Sequence, residues 1–130
     1  MTDLVISVTV LPAGDGMCSV LCLAGEADVT ATELREALAA ELAGGPRLVL
    51  VDMSRLTFID SGATQMIIAA HRVARHEGRA LALVSPSVPV ARVLELVGVN
   101  QLIGVYDCVE DAITATVQGA PLRTSRPPLT

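Results

Sequence analysis

Residues 48–62 read LVLVDMSRLTFIDSG, and this stretch indicates how the rest of the chain is organised. Leu48 to Val51 is apolar at every position, which is typical of a central strand covered on both faces. The stretch ends on Asp60-Ser61-Gly62, and an apolar periodicity predicts a helix from about Ala63. A small hydroxyl beside a carboxylate therefore lies where a strand gives way to the positive end of a helix, which favours negative charge.

Strands and helices alternate on both sides of this stretch. The patterns predict strands at Leu4–Val10, Met17–Ala24, Leu48–Val51, Ala80–Val84 and Ile103–Val105, and helices after Thr30, Ser61, Ser87 and Asp107. Thr30 and Glu33 have the spacing of a capping box, and Gly25 to Val29 is predicted as the loop before that helix. The order β-β-α-β-α-β-α-β-α predicts an α/β fold with a mixed sheet whose later part is parallel.

The composition predicts one domain with an aliphatic core. The chain has 130 residues, 52% apolar and only 2% aromatic. Three cysteines without a framework spacing indicate reduced thiols, and neither a signal peptide nor a membrane span is predicted, so we expect a cytoplasmic protein. The domain is predicted over 1–118, and the Pro-, Ser- and Arg-rich segment 119–130 is predicted as a disordered tail.

The net charge of −5 bears on the kind of partner. Binding to nucleic acid needs a basic face, and binding to single strands also uses aromatic stacking platforms. Neither is present, so we expect no direct nucleic-acid partner. An acidic surface suits a protein that offers basic residues.

The patterns of catalytic and metal sites are absent. His71 lies ten residues after Ser61 in one predicted helix, about 15 Å away, so it cannot act as its base. His71 and His76 are five residues apart and face different ways, and no C-x-x-C, H-E-x-x-H or P-loop occurs. Asp52 is predicted to end its strand as a polar turn residue. We expect no catalytic residue, no metal and no enzymatic activity.

Two interpretations of Ser61 follow from the residues alone. Asp and Ser are the common N-cap residues of helices, and the local pattern favours this structural role. Alternatively Ser61 is a phosphoacceptor, since phosphate adds about −1.5 to −2 charges. If the second and third strands are parallel, the loop around Asp28 lies at the same end of the sheet as Ser61, where ligand sites of open α/β sheets gather.

The chain resembles the STAS domain family, specifically bacterial anti-sigma factor antagonists, over about residues 4–117. The resemblance rests on three segments: Gly25-Glu26-Ala27-Asp28-Val29-Thr30-Ala31, the run from Leu48 to Gly62, and Ser85-Pro86 before a helix that ends at Leu96-Val97-Gly98. It departs from the family where Gly62 and Ala63 replace a second hydroxyl residue and a glycine, and where Ala27 replaces a larger apolar residue.

This resemblance implies a STAS-like mixed sheet of about five strands with four helices packed mainly on one face. It implies that the unphosphorylated protein binds an anti-sigma factor serine kinase and releases its sigma factor, that phosphorylation of Ser61 switches this off, and that a phosphatase resets it. ATP belongs to the kinase, so no cofactor is expected. The implied partner-binding residues are Glu26, Asp28, Thr30, Asp60, Ser61, Gly62 and Thr64.

Other functions stay open at this point. One is a STAS subunit of a membrane complex, such as a lipid-transport ABC system, in which Ser61 would only cap its helix. Another is a small enzyme or ligand sensor that uses the same loop. For the leading interpretation we expect no membrane association and a monomer or a weak homodimer.

Overall fold

The computed structural model describes residues 3–117 and confirms the predicted order of elements. The strands are β1 (Val5–Ala13), β2 (Gly16–Ala27), β3 (Leu48–Ile59), β4 (Ala80–Val84) and β5 (Val105–Tyr106). The helices are α1 (Thr32–Leu42), α2 (Ser61–His76), α3 (Val88–Val97) and α4 (Val109–Val117), and a short 3₁₀ turn covers Val99–Gln101. The predicted tail 119–130 lies outside the described residues.

The five strands form one mixed sheet in the order β1-β2-β3-β4-β5. β1 and β2 form an antiparallel hairpin, and all later pairs are parallel. The pairing of β2 with β3 ends at Ala27 opposite Ile59. The loops that follow these two strands therefore emerge side by side, as the Ser61 hypothesis requires.

The sheet has a different cover on each face, which explains why β3 begins with four apolar residues. Val49 and Val51 belong to the larger core with residues of α1, α2 and α3. Leu48 and Leu50 face the opposite way and pack in a smaller core with Ala112 of α4. Three of the four helices thus lie on one face, in agreement with the prediction that they pack mainly on one side.

Two strands run well beyond their predicted ends. Gly25 to Ala27 was predicted as loop but continues β2, and β3 extends eight residues past Val51 to Ile59. Register shifts between Cys22 and Ala24 and between Gly25 and Glu26 break the alternation of buried and exposed residues, so a simple period of two does not reveal these strand ends.

Asp52 and Thr30 also differ from their predicted roles. Asp52 lies inside β3, opposite Val84, and does not end the strand. Its Oδ1 accepts the backbone N–H of Ser54 at 2.9 Å, which satisfies the carboxylate without a turn. Ala31, and not Thr30, is the N-cap of α1, and its methyl side chain cannot accept a hydrogen bond. The Thr30 hydroxyl donates to Asp28 and does not cap the helix.

Among residues 3–117, no helix has both the length and the apolar character needed to cross a bilayer.

Candidate functional site

Asp60 joins the two loops at the carboxyl ends of β2 and β3. Its Oδ1 accepts the N–H of Ala63 at 2.8 Å and so caps α2, while its Oδ2 accepts the N–H of Val29 at 3.1 Å. Its own N–H donates to the carbonyl of Ala27 at 3.1 Å. A half-buried carboxylate with both oxygens bound to main chain positions the site. Asp60 therefore holds the two loops together.

Ser61 is the first residue of α2 and its side chain is exposed. The cap of this helix is Asp60, so the hydroxyl of Ser61 is not needed for capping. Within residues 3–117 that hydroxyl forms no hydrogen bond, whereas the Ser61 carbonyl accepts the hydroxyl of Thr64 at 2.7 Å. The geometry thus presents a free, accessible hydroxyl at the positive end of a helix of 16 residues.

Thr64 was expected to contact a partner, and its position contradicts direct contact. The residue is fully buried. Its hydroxyl closes the first turn of α2 by binding the Ser61 carbonyl, and its backbone N–H donates to the carbonyl of Asp60 at 3.1 Å. Thr64 therefore shapes the turn that carries Ser61 from inside the core, where a partner cannot touch its side chain.

A steric contact explains why a glycine follows Ser61. A Cβ atom on Gly62 would lie 2.5 Å from the Cβ and 3.1 Å from the Cα of Val29. Two carbon atoms cannot approach so closely. Because one of the atoms met is the Cα of Val29, a rotation of the Val29 side chain would not remove the clash. The second hydroxyl residue expected from the family resemblance is therefore replaced here by an apolar contact across the two loops.

The predicted acidic loop lies beside this contact. Asp28 Oδ1 accepts the backbone N–H of Thr30 at 2.9 Å and its hydroxyl at 2.5 Å, and these hydrogen bonds lower the pKa of the Asp28 carboxyl. Glu26, half-buried, pairs with Phe58 at the end of the sheet. The structure thus brings Glu26, Asp28, Thr30, Asp60, Ser61 and Gly62 to one edge of the sheet.

Two apolar residues at this edge were not predicted as part of the site. Val29 is 60% exposed and Phe58 is 47% exposed. Both lie within the segments quoted above, but only the positions of the ends of β2 and β3 reveal that these side chains face solvent at this edge. Exposed apolar side chains beside charged ones are a common composition of protein docking surfaces.

Other candidate groups lie away from this edge. Asp52 precedes Asp60 by eight residues of β3, about 25 Å, so the two carboxylates do not form a pair. His71 is buried in α2, and this burial lowers its pKa. The positive charges of Arg75 and Arg72 lower the pKa further. The described part of the chain contains no group of three or more His, Cys, Asp or Glu residues arranged to hold a metal.

A large cavity of about 830 Å³ also lies away from Ser61. It is formed by the β1–β2 turn and the residues that precede β3 and β4, at the opposite end of the sheet.

Comparison with models of protein families identifies the family to which this fold belongs. The family described as "Mlab, STAS domain" matches residues 10–104. The chain belongs to the STAS domain family. No curated protein sequence matches the chain significantly.

Solved structures of STAS proteins share the fold. An anti-sigma factor antagonist from Mycobacterium paratuberculosis is 28% identical, with a TM-score of 0.69 over 85% of this chain and 93% of that one. The anti-sigma factor antagonist SpoIIAA in its unphosphorylated form is 19% identical, with a TM-score of 0.68 over 90% and 99%. The phosphorylated form of SpoIIAA from Bacillus is also 19% identical, with a TM-score of 0.63 over 86% and 99%.

Proposed function

We propose that this STAS protein is an anti-sigma factor antagonist that is switched by phosphorylation of Ser61. The unphosphorylated form binds an anti-sigma factor with serine kinase activity and so releases the sigma factor. The observation that carries the proposal is the exposed Ser61 hydroxyl, which the fold leaves unbound because Asp60 already caps α2. The 28% identical antagonist from Mycobacterium paratuberculosis supports the assignment to this class.

The edge around Ser61 suits such a switch. Unphosphorylated, it offers a partner the apolar side chains of Val29 and Phe58 and a small neutral hydroxyl. Phosphorylation adds about −1.5 to −2 charges, which the positive end of α2 tolerates within the protein. A partner surface shaped for the neutral hydroxyl loses its contact, and any carboxylate it places there is repelled. A phosphatase that removes the phosphate restores binding.

The experiment is phosphorylation of the full chain by candidate anti-sigma kinases with ATP, followed by site mapping with mass spectrometry. Phosphate is expected on Ser61 of the wild type and absent from Ser61→Ala. Ser54→Ala is the matched control because Ser54 is also exposed but lies inside β3. Phosphate at other sites only, with kinases active on their own substrates, would contradict the proposal.

Binding to the same kinase provides the second readout. Ser61→Ala is expected to bind the kinase constitutively and Ser61→Asp to bind weakly, while Ser54→Ala and Ser54→Asp bind like the wild type. Equal binding by all four variants would show that charge at residue 61 is not the switch.

A second candidate is a STAS subunit of a membrane complex that works without phosphorylation. The packing of Val29 on Gly62 favours it, because this contact removes the hydroxyl that follows the phosphoserine in the antagonist family. Co-purification of the full chain with a membrane protein, unchanged in Ser61→Ala and in Ser61→Asp, would support this candidate over the first.

A further inference from the structure

A groove of about 610 Å³ runs between α1 and α2. One end is formed by Val29 and Gly62, next to Ser61, and the other end reaches Val73 and Glu77. Because a helix rises about 1.5 Å per residue, the groove follows about 20 Å of α2. Its volume falls in the range of about 300–1,000 Å³ that is usual for small-molecule sites. The shape suits an elongated ligand.

The lining of the groove is mainly apolar. Its apolar residues are Val29, Leu38, Ala39, Leu42, Ala43, Met66, Ala69, Ala70 and Val73. Leu38, Leu42 and Met66 are buried, whereas Val29 and Val73, near opposite ends, are 60% and 47% exposed. Exposed valines along a groove of aliphatic side chains favour contact with the apolar chain of a ligand.

The charges of the groove differ between its two ends. Arg35, in the first turn of α1, lines the groove at the end that is close to Ser61, and it forms no ion pair within residues 3–117. Gln65, an exposed amide on α2, lines the groove too. At the far end the Glu77 carboxylate lies 3.7 Å from the guanidinium of Arg79. Among the residues that line the groove, the charge without an ion-pair partner is therefore that of Arg35, near the N-terminus of α2, which itself favours an anion. The neighbouring Asp60 carboxylate does not line the groove, and both its oxygens already accept main-chain N–H groups.

We propose that this groove binds an amphipathic carboxylate with an unbranched apolar chain, of the fatty-acid type. The carboxylate lies at the Ser61 end, where Arg35 and the amide of Gln65 donate hydrogen bonds to it. The apolar chain extends along α2 toward Val73. This binding does not require phosphorylation of Ser61, so it stands or falls independently of the proposed antagonist function.

Titration of the full chain with decanoate, followed by calorimetry and by backbone amide NMR shifts, tests the proposal. Decanoate is expected to bind saturably at one site and to shift amides of α1 and α2. Butyrate, which keeps the carboxylate but lacks the chain, and decyltrimethylammonium, which keeps the chain but reverses the charge, are expected not to saturate. Lack of saturation by decanoate, or equal binding of decyltrimethylammonium, would overturn the proposal.

Two pairs of variants locate the site. Ala69→Trp fills the groove from an exposed position and is expected to abolish binding, whereas Ala40→Trp, exposed on α1 outside the lining, is expected to leave it unchanged. Arg35→Ala is expected to weaken decanoate up to about fivefold, as for a solvent-accessible ion pair, while Arg92→Ala on α3 has no effect. Decanoate binding that Ala69→Trp leaves intact would place the ligand elsewhere and refute the assignment.

Discussion

Four junctions within residues 3–117 lead from a strand with a parallel neighbour into a helix, and two of them, β3–α2 and β4–α3, carry serine. At the β4–α3 junction, Ser87 is the N-cap position and its hydroxyl donates to the carbonyl of Leu56 at 3.2 Å. Ser85, in the same connection, has a φ of 56° and its hydroxyl donates to the carbonyl of Asp107 at 2.8 Å. Both hydroxyls tie the connection to neighbouring segments.

At the β3–α2 junction, one carboxylate both caps the helix and binds the neighbouring loop. Asp60 binds the main chain of Ala63 and of Val29, and Ser61 is left with a free hydroxyl in solvent. The same residue type thus has a structural role at one junction and an open position at the other. The Ser61 hydroxyl is unbound because the Asp60 side chain both caps α2 and binds the neighbouring loop, whereas no side chain caps α3 and the Ser87 hydroxyl itself binds a neighbouring strand.

Removal of the Asp60 carboxylate is expected to have the largest effect on this comparison. Asp60→Ala loses the α2 cap, worth about 1 kcal/mol, and also the bond to the β2–α1 loop, worth about 1 kcal/mol more. Urea denaturation is expected to show a loss of about 2 kcal/mol in the free energy of unfolding. Asp60→Asn, which keeps one acceptor oxygen, is expected to lose about half as much. An Asp60→Ala variant as stable as the wild type would show that the carboxylate does not hold the junction.

Substitution of Gly62 tests the steric contact with Val29. Gly62→Ala is expected to cost about 1–3 kcal/mol, as overpacking does, because its Cβ meets the Cβ of Val29. Gly44→Ala is the matched control, since a Cβ there meets nothing within 4 Å.

Relief of the same contact provides the decisive measurement. In a double-mutant cycle, Val29→Gly removes the colliding Cβ, so Gly62→Ala is expected to cost less in the Val29→Gly background than in the wild type. Additive costs would mean that the two loops do not interlock.

The two serines themselves are expected to respond unequally. Ser87→Ala loses a hydrogen bond and is expected to cost about 0.5–1.5 kcal/mol in thermal or urea unfolding. Ser61→Ala removes an exposed hydroxyl without a partner in the described chain and is expected to change stability by less than about 0.5 kcal/mol. Equal losses for the two variants would refute the contrast between the junctions.

The element order, the strand at Ala80–Val84 and the α3 stop at Gly98 follow from local patterns that the sequence states directly. Gly98 adopts a φ of 87°, which explains why a glycine ends that helix. The long extensions of β2 and β3 were missed because their pairing passes through register shifts, and bulges erase the alternation on which strand prediction rests.

The common location of the candidate site residues could be predicted from the sequence, whereas their contacts could not, and their role in binding a partner stays a prediction. Asp28 and Ser61 share one edge because strand direction alone determines which loops meet. The sequence could not predict that Asp60 caps α2 while the Ser61 hydroxyl stays unbound, because Asp and Ser are both good N-cap residues. Only the coordinates show that the Asp60 side chain accepts the N–H of Ala63. The role of Val29 depends on a contact across 33 residues, for which no local pattern exists.

The smallest expected effect concerns the loop beside Ser61. The two hydrogen bonds from Thr30 keep the pKa of Asp28 below its usual value of about 3.9, so folding favours the ionised carboxylate. Its contribution to stability is therefore present above the unfolded pKa and is lost as pH falls through the lower folded pKa. Thr30→Val removes the hydroxyl donor but keeps the backbone one, so the pKa of Asp28 is expected to rise part of the way toward its usual value.

An NMR titration of the Asp28 carboxyl checks this expectation. Thr32→Val is the control, because Thr32 is an exposed threonine two residues further along the chain that donates no hydrogen bond to Asp28. A rise in Thr30→Val, and not in Thr32→Val, would show that the hydroxyl of Thr30 contributes to the lowered pKa of the Asp28 carboxyl. An unchanged pKa in Thr30→Val would assign the ionised state to the backbone N–H alone and would leave the hydroxyl of Thr30 available to a partner.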